Sequence, residues 1–164
     1  ICVAKIYDIE KNHINEVIEH FEGLKYRFEM VYHTNDLIII NDSKSTTPYA
    51  SLAGAKSIKN NYNSYYKVLI VGGIMKENYY CLAKQCDFID EVYTYGTSKN
   101  RLAEVFSNNL VKVFDTLEEV IEKLPLKKPL LILFSPSCVS YDQYSSYLER
   151  GSEFNKLIKK HYNL

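Results

Sequence analysis

At 164 residues the chain has room for one main domain with a full core, and a 46% hydrophobic content is ordinary for a globular protein. Twenty basic and twenty acidic residues cancel, which argues against the electrostatic footprint of a nucleic-acid or membrane-surface binder. Cys2, Cys81, Cys86 and Cys138 form no CxxC, the histidines show no ligand spacing, and no apolar run approaches the roughly 18 residues of a membrane span. Free thiols, no structural zinc and a reducing, cytoplasmic setting are therefore expected.

The chain opens at Ile1, without a methionine, inside a helical pattern of Ile1, Val3, Ala4, Ile6 and Tyr7 that has no cap before it. It reads as a piece of a longer protein. Two short helices are expected, one ending near Asp8 and one from about Asn12 to Phe21, with Ile14, Val17, Ile18 and Phe21 on one face and Gly23 as the stop. Phe28 to His33 and Leu37 to Asn41 are β-rich runs joined by Thr34-Asn35-Asp36, a hairpin. After a polar loop, Thr47 is placed to cap a helix whose first residue is Pro48.

Strands and helices then alternate. Val68 to Val71 ends at Gly72-Gly73 before a helix from about Asn78, and Val92 to Tyr95 ends at Gly96-Thr97-Ser98 before a helix around Leu102, Val105 and Phe106. Val111 to Phe114 precedes a helix capped by Asp115 or Thr116 and carrying Leu117, Val120, Ile121 and Leu124. Leu130 to Phe134, bounded by Pro129 and Pro136, reads as a strand buried on both faces. It leads through a serine-rich turn to a helix with Tyr144, Tyr147, Leu148 and Phe154 toward the sheet.

Repeated βαβ units predict an α/β, Rossmann-like fold: a mostly parallel sheet with one antiparallel hairpin strand and helices on both faces. Ligands of such sheets bind outside the carboxyl ends of the strands. The polar loops after Asn41, Val71 and Phe134 therefore form the candidate site. There is no GxGxxG and no GxxxxGK[ST], so nothing supports a dinucleotide or P-loop nucleotide site. Gly72-Gly73 fits either a tight turn or an anion cradle, and the tight turn is the default.

A set of residues in this order carries a family resemblance: Gly23-Leu24 with Arg27-Phe28; Ile40-Asn41-Asp42-Ser43-Lys44 with Thr46; Gly72-Gly73 with Lys76; and Ser135-Pro136, Ser140, Asp142-Gln143, Tyr147, Glu149-Arg150-Gly151 and Phe154. Nearly the whole chain resembles the C-terminal domain of the Mur ligase family, in its D-glutamate-adding branch. Residues 1–22 then resemble the last helices of the central ATP-binding domain, and residues 23–164 the C-terminal domain. The resemblance implies Arg27, Asp42 and Lys44 on the ATP side. It implies Thr46 and Lys76 on one carboxylate of D-glutamate, and Ser140 with the backbone around Tyr141 and Tyr147 on the other.

A dianionic amino acid needs two separated anion sites, built from a lysine and from directed hydroxyl and amide donors. The activity implied is ATP-dependent activation of the carboxylate of UDP-MurNAc-L-alanine, with Mg2+ bound mainly by the central domain, followed by attack of the D-glutamate amine. The phosphate-binding loop and the UDP-binding domain would lie upstream, so this chain alone is expected to bind and not to catalyse. The chain departs from the family pattern at Lys25 and Tyr26 (usually proline and histidine), at Ile74 and Met75 (where an acidic residue is usual) and at Tyr147 (usually phenylalanine). Alternatives on the same residues are a freestanding Rossmann-like module for a small dicarboxylate, a domain of another Mur-type or folylpolyglutamate ligase, and a structural docking domain.

Overall fold

A computed structural model describes residues 2–21, 23–76, 78–107 and 109–164. Ile1, in the expected first helix, and Glu22, at the expected domain boundary, lie outside the described residues. Two helices open the chain, α1 (Cys2–Ile6) and α2 (Lys11–His20), and neither buries a residue. The strands are β1 (Glu29–His33), β2 (Leu37–Asn41), β3 (Tyr66–Gly72), β4 (Glu91–Tyr95), β5 (Leu110–Val113) and β6 (Leu130–Ser137). Between them run α3 (Pro48–Lys59), α4 (Tyr80–Lys84), α5 (Lys99–Val105) and α6 (Leu117–Glu122), and α7 (Tyr147–Tyr162) closes the chain.

All six strands form one sheet in the order β1-β2-β6-β3-β4-β5, parallel except for the β1–β2 hairpin. The period of two along each strand sorts the core into two layers. Ile38, Ile40, Leu69, Val71, Leu131 and Leu133 meet Ala55, Ile58, Leu82 and Leu102 of α3, α4 and α5. Ile39, Val68, Ile70, Ile132 and Phe134 meet Leu117, Val120 and Ile121 of α6 and Phe154 and Ile158 of α7. Phe134 stacks on Phe154 with ring centroids 4.2 Å apart, a pair that adds about 0.5 to 1.5 kcal/mol beyond its area.

β6 is inserted between β2 and β3, and this creates the crevice. The chain leaves β2 and β3 for helices on one face and leaves β6 for α7 on the other, the arrangement at which ligands enter open α/β sheets. Thr47 caps α3, accepting from the Ala50 amide, with Pro48 at its first position. Thr116 and Glu119 form a capping box on α6.

Three local expectations are corrected. Pro136 does not end its strand: β6 continues to Ser137, because the register against β3 shifts between Ile70 and Gly72, and a proline is tolerated at such an irregularity. The buried stripe of α7 is Arg150, Gly151, Phe154 and Ile158, while Leu148 is half exposed. Ser146 caps α7 through the Glu149 amide, and Tyr147, its first residue, is only partly covered. The helix expected from Asn78 begins at Tyr80 and is a short turn.

Candidate functional site

The carboxyl ends of β2, β6 and β3 lie side by side, so the three polar loops named from the sequence are brought together. Asn41, the last residue of β2, ties its loop to α7. Its side-chain amide donates to Gly151 O at 2.9 Å and Asn155 Oδ1 at 2.7 Å, and its Oδ1 accepts from the Ser43 amide. Ser43 Oγ donates to Tyr147 O at 2.9 Å, and the Ser137 amide donates to Ser45 O at 2.8 Å. On the other side, Ile74 and Val139 exchange backbone hydrogen bonds, joining the β3 loop to the β6 loop next to Ser140.

Asp42 is buried at the foot of this arrangement. Its carboxylate accepts from the Phe28 amide (3.0 Å), Ser45 Oγ (2.5 Å) and Ser135 Oγ (2.9 Å). Burial nevertheless raises its pKa above the ordinary carboxylate value, against the lowering effect of those donors and of the Arg27 charge. Arg27, Asp42 and Lys44 line one hollow of about 480 Å³ with Ser45, Ala50, Ala53 and Gly54. Arg27 is exposed, between Tyr26 and Phe28, both at positive φ. Lys44 places its ammonium 4.1 Å from the centre of the Tyr147 ring, so residues expected on the ATP side and the D-glutamate side touch.

The β6 loop holds open donors. The amides of Gln143 and Tyr144 donate to Ser140 O, forming a helical turn. Among the described residues the Ser140 hydroxyl and the amides of Ser140, Tyr141 and Asp142 form no hydrogen bond. Thr46, partly buried on the β2 loop, has no hydroxyl partner among the described residues either.

The glycine pair behaves differently. The Gly73 amide donates to Tyr95 O, the Ile74 amide to Val139 O and the Met75 amide to Ser98 Oγ. Those donors are taken, so the pair is a tight turn and not an anion cradle. Lys76 is exposed and lines a hollow with Met75, Asn78, Tyr80 and Arg101 that includes neither Thr46 nor Ser140.

A residue that sequence reasoning left without a role occupies the centre. Arg150 is fully buried and donates to Ser43, Cys138 and Gly72. Its spacing with Phe154 and Ile158, four residues each, marks a core-facing position and was the available signal.

The donor set does not fit a magnesium ion. Among the described residues no group of three His, Cys, Asp or Glu side chains could hold a metal, and both Asp42 oxygens are already engaged. At the opposite pole, Glu91 accepts from Tyr66 and Lys112 in a self-contained cluster. No helix among the described residues is long and apolar enough to cross a membrane.

Two solved structures match this fold over 98% and 99% of the chain. They are a UDP-N-acetylmuramate-alanine ligase of Thermotoga maritima (TM-score 0.71, 15% identity, 36% of that chain) and a MurF ligase of the same organism in complex with ADP (TM-score 0.70, 16% identity, 36% of that chain). At such identities the likeness establishes the fold, that of a Mur ligase domain. No protein-family model matches the chain. Sequence relatives supply the rest. The chain is 36% identical over 165 residues to a UDP-N-acetylmuramoylalanine–D-glutamate ligase of Hydrogenobaculum sp. (98% of this chain, 39% of the relative). It is 33% identical over 165 residues to the enzyme of that name from Oenococcus oeni (97% of this chain, 36% of the relative). Over nearly its whole length the chain is similar to D-glutamate ligases of the Mur type, of whose own length it spans little over a third.

Proposed function

We propose that this chain is the D-glutamate-binding, C-terminal domain of an ATP-dependent ligase that joins D-glutamate to UDP-N-acetylmuramoyl-L-alanine, a reaction of peptidoglycan synthesis. The observation that carries the reading is the group of open donors at the end of β6: the Ser140 hydroxyl and the amides of Ser140, Tyr141 and Asp142. Free amides at the start of a helical turn, with a hydroxyl beside them, suit a carboxylate. Thr46 stands on the neighbouring loop and Lys76 on the third; a second carboxylate site, which a dianionic amino acid requires, needs the exposed Lys76 side chain to turn from its hollow toward Thr46. Arg27 and Lys44 would meet the ribose and phosphates of ATP over the Asp42 hollow, with Lys44 leaning on Tyr147 as the link between the two ligands.

Residues 1–22 fit the end of a preceding ATP-binding domain. Val17, Ile18 and Phe21 are exposed on α2 and just beyond it, where an amphipathic helix would ordinarily bury such residues. Phosphate cradling and magnesium binding belong to parts of the ligase other than this chain. What this chain contributes is the amine-bearing substrate, held by its carboxylates so that the amine is left free to attack.

The test is steady-state kinetics of full-length S140A and K76A at saturating ATP and nucleotide substrate. Loss of a carboxylate partner in a water-poor cleft costs about 2 to 5 kcal/mol, so KM for D-glutamate should rise about thirtyfold or more. If neither variant changes it by as much as about fivefold, a loss expected of exposed pairs, the D-glutamate reading is wrong.

A further inference from the structure

Arg150 is 0% exposed, and no carboxylate lies within ion-pairing distance of it among the described residues. Its Nε donates to Ser43 Oγ at 3.0 Å, its Nη2 to Ser43 O at 2.8 Å, and its Nη1 to Cys138 O at 2.9 Å and Gly72 O at 3.5 Å. The guanidinium thus holds the β2 loop, the end of β3 and the β6 loop at once, the three segments that carry Thr46, Lys76 and Ser140 two to four residues beyond the contacts. Carbonyl oxygens replace its hydration, but they leave its positive charge uncancelled in a region of low dielectric. A neutral donor would tie the loops without the penalty of burying a charge. A cation there serves a crevice that receives anions.

We propose that Arg150 is a positioning residue for the amino-acid substrate: it fixes the spacing of the Thr46 and Ser140 loops, and its unpaired charge favours a dicarboxylate between them. This rests on the D-glutamate reading above. It makes a prediction that a purely structural arginine does not: the effect should fall on D-glutamate and not on ATP, and it should depend on charge.

Steady-state kinetics and thermal unfolding of full-length R150M, R150K and S140A provide the test. R150M should raise KM for D-glutamate tenfold or more while KM for ATP stays within threefold. R150K, which keeps the charge and loses the fork, should recover part of the D-glutamate effect. A D-glutamate KM within threefold of the unmodified protein in R150M, equal rises for both substrates, or R150K no better than R150M overturns the proposal. Should R150M fail to fold, R150K decides it: an unchanged D-glutamate KM overturns it, and a selective rise supports it. S140A separates the two failures. If S140A impairs D-glutamate use and R150M does not, only the role of Arg150 falls; if S140A and K76A both leave D-glutamate KM unchanged, both readings fall.

Discussion

Burial and hydrogen bonding pull the Asp42 carboxyl in opposite directions, and burial prevails. Its folded pKa lies above the unfolded value of about 3.9. The stability this group contributes is therefore fully present below about pH 3.9 and is lost as pH rises through the folded pKa. Replacing Asp42 with asparagine removes that titration. Urea unfolding of the unmodified chain and D42N from about pH 4 to pH 7 should show the difference in stability moving in favour of D42N as pH rises. A difference that moves the other way would mean that the donors from Phe28, Ser45 and Ser135 outweigh burial. Motif matching singled out Asp42 at the end of β2. Its buried, triply bonded state was not legible, because two of its partners, Phe28 and Ser135, are distant in sequence.

At the scale of elements, what was legible followed from period and punctuation. Six apolar runs became six strands, and Thr47-Pro48 and Thr116 capped the helices they were expected to cap. Failures arose where tertiary contacts overrode local signals. Pro136 sits inside β6 because the sheet shifts register there, and Leu148 is half exposed because α7 is phased by Arg150 and Phe154. Strand order was out of reach of local pattern, yet it is the insertion of β6 that assembles the site. Gly73 is the point at which this assembly is tightest: φ is +121°, and a Cβ would run into the Val139 carbonyl oxygen. Since backbone cannot move aside cheaply, G73A should lower the unfolding free energy by about 2 kcal/mol or more, combining strain with overpacking. Denaturant unfolding checks this, and a loss below about 0.5 kcal/mol, typical of surface positions, would contradict the packing described.

For the whole molecule, α1 and α2 stand apart from the two-layered core, since neither buries a residue. Ile18, half exposed, should tolerate aspartate in this chain with a stability change within about 0.5 kcal/mol, whereas the proposed packing of α2 on a preceding domain predicts a larger cost of I18D in the full-length protein. Equal small effects in both would show that nothing packs on α2. Binding of D-glutamate at the carboxyl ends of β2 and β6, as proposed, can be read by amide chemical-shift mapping of the isotope-labelled chain titrated with D-glutamate and, separately, L-glutamate. Saturable shifts from D-glutamate are expected at Ser140, Tyr141, Asp142 and Thr46, with weaker ones from L-glutamate and none at the Glu91 and Lys112 cluster at the opposite pole. Shifts that are absent, that are identical for the two enantiomers, or that centre on Glu91 and Lys112 would contradict such binding.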